Sequence, residues 1–352
     1  MSSPKTFLPL AALCTLGSFA AAQTTVTLPC VLDNTLYDSP TGSLSNAQGM
    51  GLFVGVTGQQ ARRRTLVQFD VSGGVPAGAR ILDAHLSVTV SRTAVPFNVD
   101  VFVHRALASW GEGTSDAPGQ EGGGIASTPN DATWIHRFYP NTLWATPGGD
   151  FSPTVSAVID TPNIGLATSA TAQGLIDDVQ SMLDNPAQNF GWLLKTNEAQ
   201  AYVTRRLDSS ESLGSPPALT VTYIQPGQTA SWGTGCLVNN QPFTLALNGT
   251  ASGGNQLTLA QSQGPANAVA VNLLALDLDR VGFPLLPQCN LYLPQVGPIV
   301  TFNLLLLDGS GNGATSWTVP SGFPGVMITS QSAALTSGNS YVLSNAAAAL
   351  LQ

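Results

Sequence analysis

"RTLVQFDVSGGVPAGARILDAHLSVTVSR", Arg64 to Arg92, decides the fold. In its first part Leu66 and Gln68 alternate with Val67 and Phe69, the period of two that a β-strand imposes on its side chains. The run stops at a turn, Gly73-Gly74-Val75-Pro76-Ala77-Gly78. Beyond it Ala84, Leu86, Val88 and Val90 share one side, with His85, Ser87 and Thr89 on the other. Alternation over that length predicts an antiparallel strand with one face on a core. The same pattern recurs in "VDVFVHRA", "GWLLKT", "AYVTRRL" and "ALTVTY". Many short strands broken by Gly/Pro turns predict a β-sandwich.

One helix interrupts the strands. In "TAQGLIDDVQSMLDNP" the apolar residues Leu175, Ile176, Val179, Met182 and Leu183 fall on one face. Thr171 is the expected N-cap and Asn185-Pro186 the stop. Asp177 and Asp178 are expected on its solvated side near the start, where the helix dipole favours acids.

The Pro-Gly break after "ALTVTYIQ" marks a seam between residues 23–226 and 227–352. Charge use changes across it: the second part has three acids (Asp277, Asp279, Asp308) and one base, Arg280. Its segments "FTLALNG", "NQLTLAQ", "AVAVNLLALDL", "VTFNLLLLDGSGNG" and "GVMITSQSAAL" are strand-like and nearly free of charge. The expected class is all-β, with two β-sandwich (jelly-roll-like) domains and one helix inserted in the first.

Residues 1–22 read as a signal peptide: Lys5, then apolar Phe7 to Leu13, then Ala20-Ala21-Ala22 before Gln23. The expected location is therefore extracellular or at the cell surface. No later segment has the roughly 18 apolar residues of a membrane-spanning helix. Charged residues make up 9% of the chain and its net charge is −8. That excludes the basic patches of nucleic-acid binders. In an oxidising compartment two of the remaining cysteines are expected to pair. Cys236 and Cys289 are favoured because both lie in the second part, leaving Cys30 as a buried residue of the first strand.

Residues 26–224 resemble the DNRLRE-domain family, secreted β-sandwich modules related to alginate-binding carbohydrate-binding modules. The resemblance rests on "VLDNTLYDS", "GLFVG", "RTLVQFDVSGGVPAGARILDAHLSV", "ASWGEGTSDA", "LIDDVQSML", "GWLLK" and "RRLDSSES…PPALTVTY". It implies a non-catalytic module that binds polysaccharide. The segment "GQEGGGIASTPNDATW…GGDF" is an insert relative to that pattern. The second part looks like a C-terminal β domain of exported planctomycete-like proteins, for which the resemblance implies no activity.

The insert holds the richest chemistry. Trp134, His136, Arg137, Tyr139 and Trp144 combine aromatic faces with polar groups, as sugar sites do. Arg64 and Arg205 are candidates to fork the carboxylates of an acidic polysaccharide. Trp134 reads as a loop anchor, and Trp144, between Pro and Gly turns, as an exposed platform. Arg205 and Arg206 must face opposite sides of their strand, so one of them joins a given site.

A Ser-His-Asp triad drawn from His136 with Asp131 or Asp150 lacks a G-x-S-x-G elbow, and Glu112, Glu121, Glu198 and Glu211 are scattered along the chain. No enzyme is expected, and no metal site from cysteine or histidine spacing. A structural Ca²⁺ is the one cofactor left open, with Asp33, Asp38 or Asp70 as candidate acids in the first part, none singled out by spacing, and Asp308 in the second. "DGSGNG" has half of an EF-hand loop, but Val319 stands where the bidentate Glu belongs. The functional expectation is a secreted polysaccharide-binding module. The alternatives are a structural or adhesion protein and, more weakly, a polysaccharide hydrolase or lyase.

Overall fold

The computed structural model describes residues 23–286, 289–338 and 340–352. The signal peptide expected over residues 1–22 lies outside the described residues. The fold is all-β with one long helix.

In the first module two sheets share strands. The strand Thr24–Tyr37 pairs through residues 24–29 with Ala218–Ile224. It slips register between Cys30 and Leu32, and then pairs through residues 30–37 with Arg62–Phe69. Gly51–Val56 crosses likewise, from Arg205–Asp208 to Arg62–Phe69. Gly55 makes that crossing at φ 116°, and a Cβ there would lie 2.7 Å from the Val203 carbonyl oxygen. A larger residue is therefore excluded. Arg80–Thr93 joins the first sheet, while Trp192–Lys195, Val99–Arg105 and Ala157–Thr161 extend the second.

Leu86, Val88, Val90, Val67, Phe69, Val101, Val103 and Trp192 fill the space between the sheets. The alternation read at Arg80–Thr93 thus points its apolar side inward. Cys30 is buried and unpaired on the first strand.

The turn after Phe69 is a single helical turn, Val71–Gly74, whose amide at Gly73 donates to the Asp70 cap at 2.8 Å. The long helix is Gln173–Asp184, and its five apolar residues are all buried in the same core. Two expectations are corrected here. Ala172, with no side-chain cap, precedes the helix, while the Thr171 hydroxyl donates to Asp83 at 3.3 Å. Asp178 is not solvated: it accepts from Ser156 Oγ at 2.6 Å and Trp192 Nε1 at 3.0 Å. Burial raises its pKa.

In the second module a five-stranded sheet runs in the order Thr229–Trp232, Tyr341–Leu350, Met327–Leu335, Val269–Leu276, Ile299–Leu306. It packs on Thr244–Asn248, Gln256–Ser262 and Gly313–Thr318. Cys236 and Cys289 form a disulfide with Cα atoms 4.8 Å apart, 53 residues apart in sequence. Closing a loop of that size contributes about 4 kcal/mol in the chain-entropy account.

Tyr341–Leu350 is covered on both faces. Ala347 and Ala349 pack on Leu245, Leu257 and Leu259 of the smaller sheet. Ala346, Ala348 and Leu350 pack against Leu82 and Ile224 of the first module. Leu82 reaches them because the pairing of Arg80–Thr93 with Ala218–Ile224 slips between Ile81 and Asp83. A bulge of this kind redirects a side chain out of its own sheet. Arg280, the second module's single base, is 6% exposed and donates Nε to the Ile81 carbonyl at 3.2 Å. It also donates to the Leu278 carbonyl and to Asp277 Oδ1, each at 2.9 Å.

Leu82 therefore belongs to a core shared by both modules. Leu82→Ala is expected to destabilise the chain by about 2–5 kcal/mol. Calorimetry is expected to show one transition for the native chain and two for the variant; a single transition in both would contradict the shared core.

Candidate functional site

The segment Asp131 to Phe151 lies over the outer face of the second sheet. It buries Leu36, Leu66 and Leu193, which face away from the main core, beneath Trp110, Trp134 and Trp144. Two of the indole N–H groups are used internally: Trp110 donates to the Phe190 carbonyl and Trp144 to the Thr133 carbonyl, both at 2.9 Å. Trp144 is 5% exposed. The expectation of an exposed platform is thus corrected: an indole that covers Leu36 and Leu66 has no free face for a sugar.

Trp134 is 4% exposed and lies between two guanidinium groups, Arg62 and Arg64, each 4.7 Å from its ring centre. These arginines are two apart on one strand and so project to the same side. Arg64 forks Glu198 at 2.7 and 2.8 Å and donates to the Gly148 carbonyl at 2.7 Å. Its donors are committed to the fold and not offered to a ligand. A Cβ on Gly148, at φ 95°, would stand 2.5 Å from Arg64 Nη1 and 2.9 Å from the Trp134 ring.

Arg205 has no exposed surface and donates to Thr93 Oγ1 and the Phe97 carbonyl. It cannot reach a ligand as expected from the sequence; the strand turns Arg206 outward instead. His136, Arg137 and Tyr139 are half-buried. The His136 Nδ1 lies 3.0 Å from Thr133 Oγ1, and its ring meets Tyr139 edge-on. Arg137 donates to the Ser109 carbonyl and hydroxyl, both at 3.2 Å. Asp131 accepts from Thr128 and Asp150 from the Ala145 and Thr146 amides, so neither acid is hydrogen-bonded to His136.

Two surface hollows in the first module carry ligand chemistry that the sequence reading missed. A cleft of about 290 Å³ is lined by Phe53, Arg92, Thr93, Gln120, Thr204 and Arg206. Arg92 is exposed, and Arg206 is steadied by Glu121 Oε2 at 3.1 Å and Ser91 Oγ at 3.0 Å. A second hollow of about 170 Å³ places Phe97, 47% exposed, with Asn98, Asn197 and Gln200. Arg92 and Arg206 come from strands far apart in sequence that register side by side. That adjacency is invisible until the strands pair.

Of the two acids considered for Ca²⁺, Asp33 is joined in the fold by Glu112, which the sequence did not pair with it, and Asp308 stands apart. Asp33 has no exposed surface, its amide donates to Glu112 Oε1 at 2.7 Å, and its Oδ2 accepts from the Ser210 amide at 2.7 Å. Burial, reinforced by Glu211, pushes Asp33 up to about 7; burial does the same to Glu112, also to about 7. Asp308 lies in a Gly-rich turn and accepts from the Ser310 and Asn312 amides at 2.8 Å. Those amide donors lower its pKa.

Among the described residues no three His, Cys, Asp or Glu side chains are already arranged to hold a metal ion, and no helix is long and apolar enough to cross a membrane. No protein-family model matches the chain, and no curated protein does so.

Trp134→Ala removes the ring between Arg62 and Arg64 and is expected to destabilise the fold by about 3–5 kcal/mol, read as a lower denaturant midpoint. Asp33 and Glu112 favour their neutral forms in the fold, whereas in the unfolded chain they ionise near pH 4. Their contribution is full below about pH 4 and is lost as pH rises through about 7. With divalent ions chelated, the thermal midpoint is expected to fall between pH 5 and pH 8, by less in Asp33→Asn. Equal falls in both proteins would remove Asp33 as the source.

Proposed function

We propose that the chain is an exported, non-catalytic protein whose first module binds an acidic polysaccharide at the Arg92–Arg206 cleft. The observation that carries this reading is an exposed guanidinium, Arg92, beside a second one held in place by Glu121 and Ser91. A planar guanidinium matches a uronate carboxylate with two parallel hydrogen bonds. The net charge of −8 opposes an acidic polymer at long range, so binding depends on this local pair of cations. Phe97 with Asn98, Asn197 and Gln200 supplies an aromatic face and planar amides for a neutral ring. The resemblance to the DNRLRE family supports the same class of ligand. Export is supported by the signal-like residues 1–22 and agrees with the Cys236–Cys289 disulfide.

The test is affinity electrophoresis through alginate and through a neutral glucan. Arg92→Ala is expected to weaken alginate retention about tenfold, by the loss of one charge-assisted fork of about 1.5 kcal/mol. Phe97→Ala is expected to weaken retention on the neutral gel. A native chain that migrates unretarded in both gels would end the reading.

An adhesion or assembly role is favoured by a different observation. The edge strand Ile299–Leu306 carries Val300, Leu304 and Leu306 at 52%, 76% and 68% exposure. A charge-free, Pro-free edge of this kind is a template for strand pairing. Concentration-dependent association abolished by Leu304→Lys, with no glycan binding, would make assembly the primary role.

A further inference from the structure

Three carboxylates in the first module, Asp33, Asp131 and Glu211, keep a buried oxygen with no hydrogen-bond partner, and two of them, Asp33 and Glu211, flank Ser210. Asp33 has no exposed surface, and its Oδ1 has no hydrogen-bond partner. Glu211 accepts the Ser210 hydroxyl on Oε1 at 3.0 Å, and its buried Oε2 has no partner. Ser210 links the two, because its amide donates to Asp33 Oδ2 at 2.7 Å. Glu112 closes the group through Oε1, which takes the Asp33 amide at 2.7 Å. An unsatisfied buried acceptor destabilises a fold by roughly 1–3 kcal/mol, and more if it is charged. Neighbouring carboxylates in one pocket further oppose one another's ionisation. A fold that brings Asp33, Glu112 and Glu211 together from three distant segments leaves a deficit of positive charge at this point.

We propose that this pocket binds a Ca²⁺ ion, with Asp33 Oδ1 and Glu211 Oε2 as its carboxylate ligands and Glu112 as the flanking negative charge. Every donor in the pocket is an oxygen, the ligand type of a hard cation. Ca²⁺ accepts six to eight oxygens at about 2.3–2.6 Å in irregular geometry, whereas Mg²⁺ demands a near-ideal octahedron. Since no three acids of the described residues already surround one point, water completes the shell. Glu112 and Glu211 are half-buried, so the group lies close to the surface. A site with two carboxylates falls at the weak end of the Ca²⁺ range, roughly 10⁻⁴–10⁻³ M, typical of modules outside cells. The ion ties the first strand, the loop at Glu112 and the turn at Ser210 together. Its role is structural and independent of the Arg92–Arg206 cleft.

The experiment uses the full chain stripped with a chelator. Calorimetric titration with CaCl₂ is expected to show one site, and millimolar Ca²⁺ to raise the thermal midpoint by about 2–5 °C over NaCl of equal ionic strength. Asp33→Asn and Glu211→Gln preserve shape but remove one ligand charge each. Each is expected to weaken Ca²⁺ binding about ten- to hundredfold and to abolish the shift. Glu211→Gln decides alone if Asp33→Asn does not fold. Absence of Ca²⁺ heat and of a Ca²⁺-specific shift in the native chain would overturn the proposal. Retention of both in the variants would overturn it equally, since the ion would then bind elsewhere.

Discussion

A β-strand covered on both faces has no solvent side, and Arg62–Phe69 is such a strand. Val67 and Phe69 enter the core between the sheets, while Leu66 lies beneath the three tryptophans of the outer layer. Arg62 and Arg64 lie on that same outer side and hold Trp134 between them. Burying a guanidinium requires that its donors be satisfied, and Glu198 and the Gly148 carbonyl satisfy Arg64. The composition of the Asp131–Phe151 segment follows from this demand. Its aromatics act as a third layer over a sheet face that would otherwise expose Leu36, Leu66 and Leu193.

The second module meets the same requirement with small residues. Tyr341–Leu350 runs between the three-stranded sheet and the first module, and alanine at four successive positions lets both approach closely. Alanine is the best helix former by intrinsic preference. Here a partner strand on each side and a packed layer on each face override it. The bulged Leu82 and the buried Arg280 then join the modules through one apolar cluster and one charged donor.

Because the tryptophans are committed to the fold, the surface chemistry lies elsewhere. Arg92, Arg206 and Phe97 lie beside the pairing of Arg80–Thr93 with Arg205–Asp208, and the orphaned oxygen of Asp33 lies on Thr24–Tyr37, next to Glu112 and the Ser210 turn. The sequence hinted at the first group in Arg205-Arg206, where alternation requires one arginine to face out. Of the second it offered Asp33 as a candidate acid, without Glu112 or Glu211 as its neighbours. Asp33, Glu112 and Glu211 are separated by scores of residues, and only the register of the strands brings them together.

The residues alone determined the class of this protein. Period-two alternation at Arg80–Thr93, the apolar face of Gln173–Asp184 and the shift in charge use near residue 226 are local patterns, and local patterns reflect backbone geometry directly. The pairing of Cys236 with Cys289 was also legible, from their shared half of the chain. Tertiary structure decided which polar and aromatic groups remain available. Trp144 and Arg205 have the chemistry of a binding site, yet they are buried, because availability depends on which layer covers a strand. That covering layer comes from residues remote in sequence, so one-dimensional periodicity does not record it.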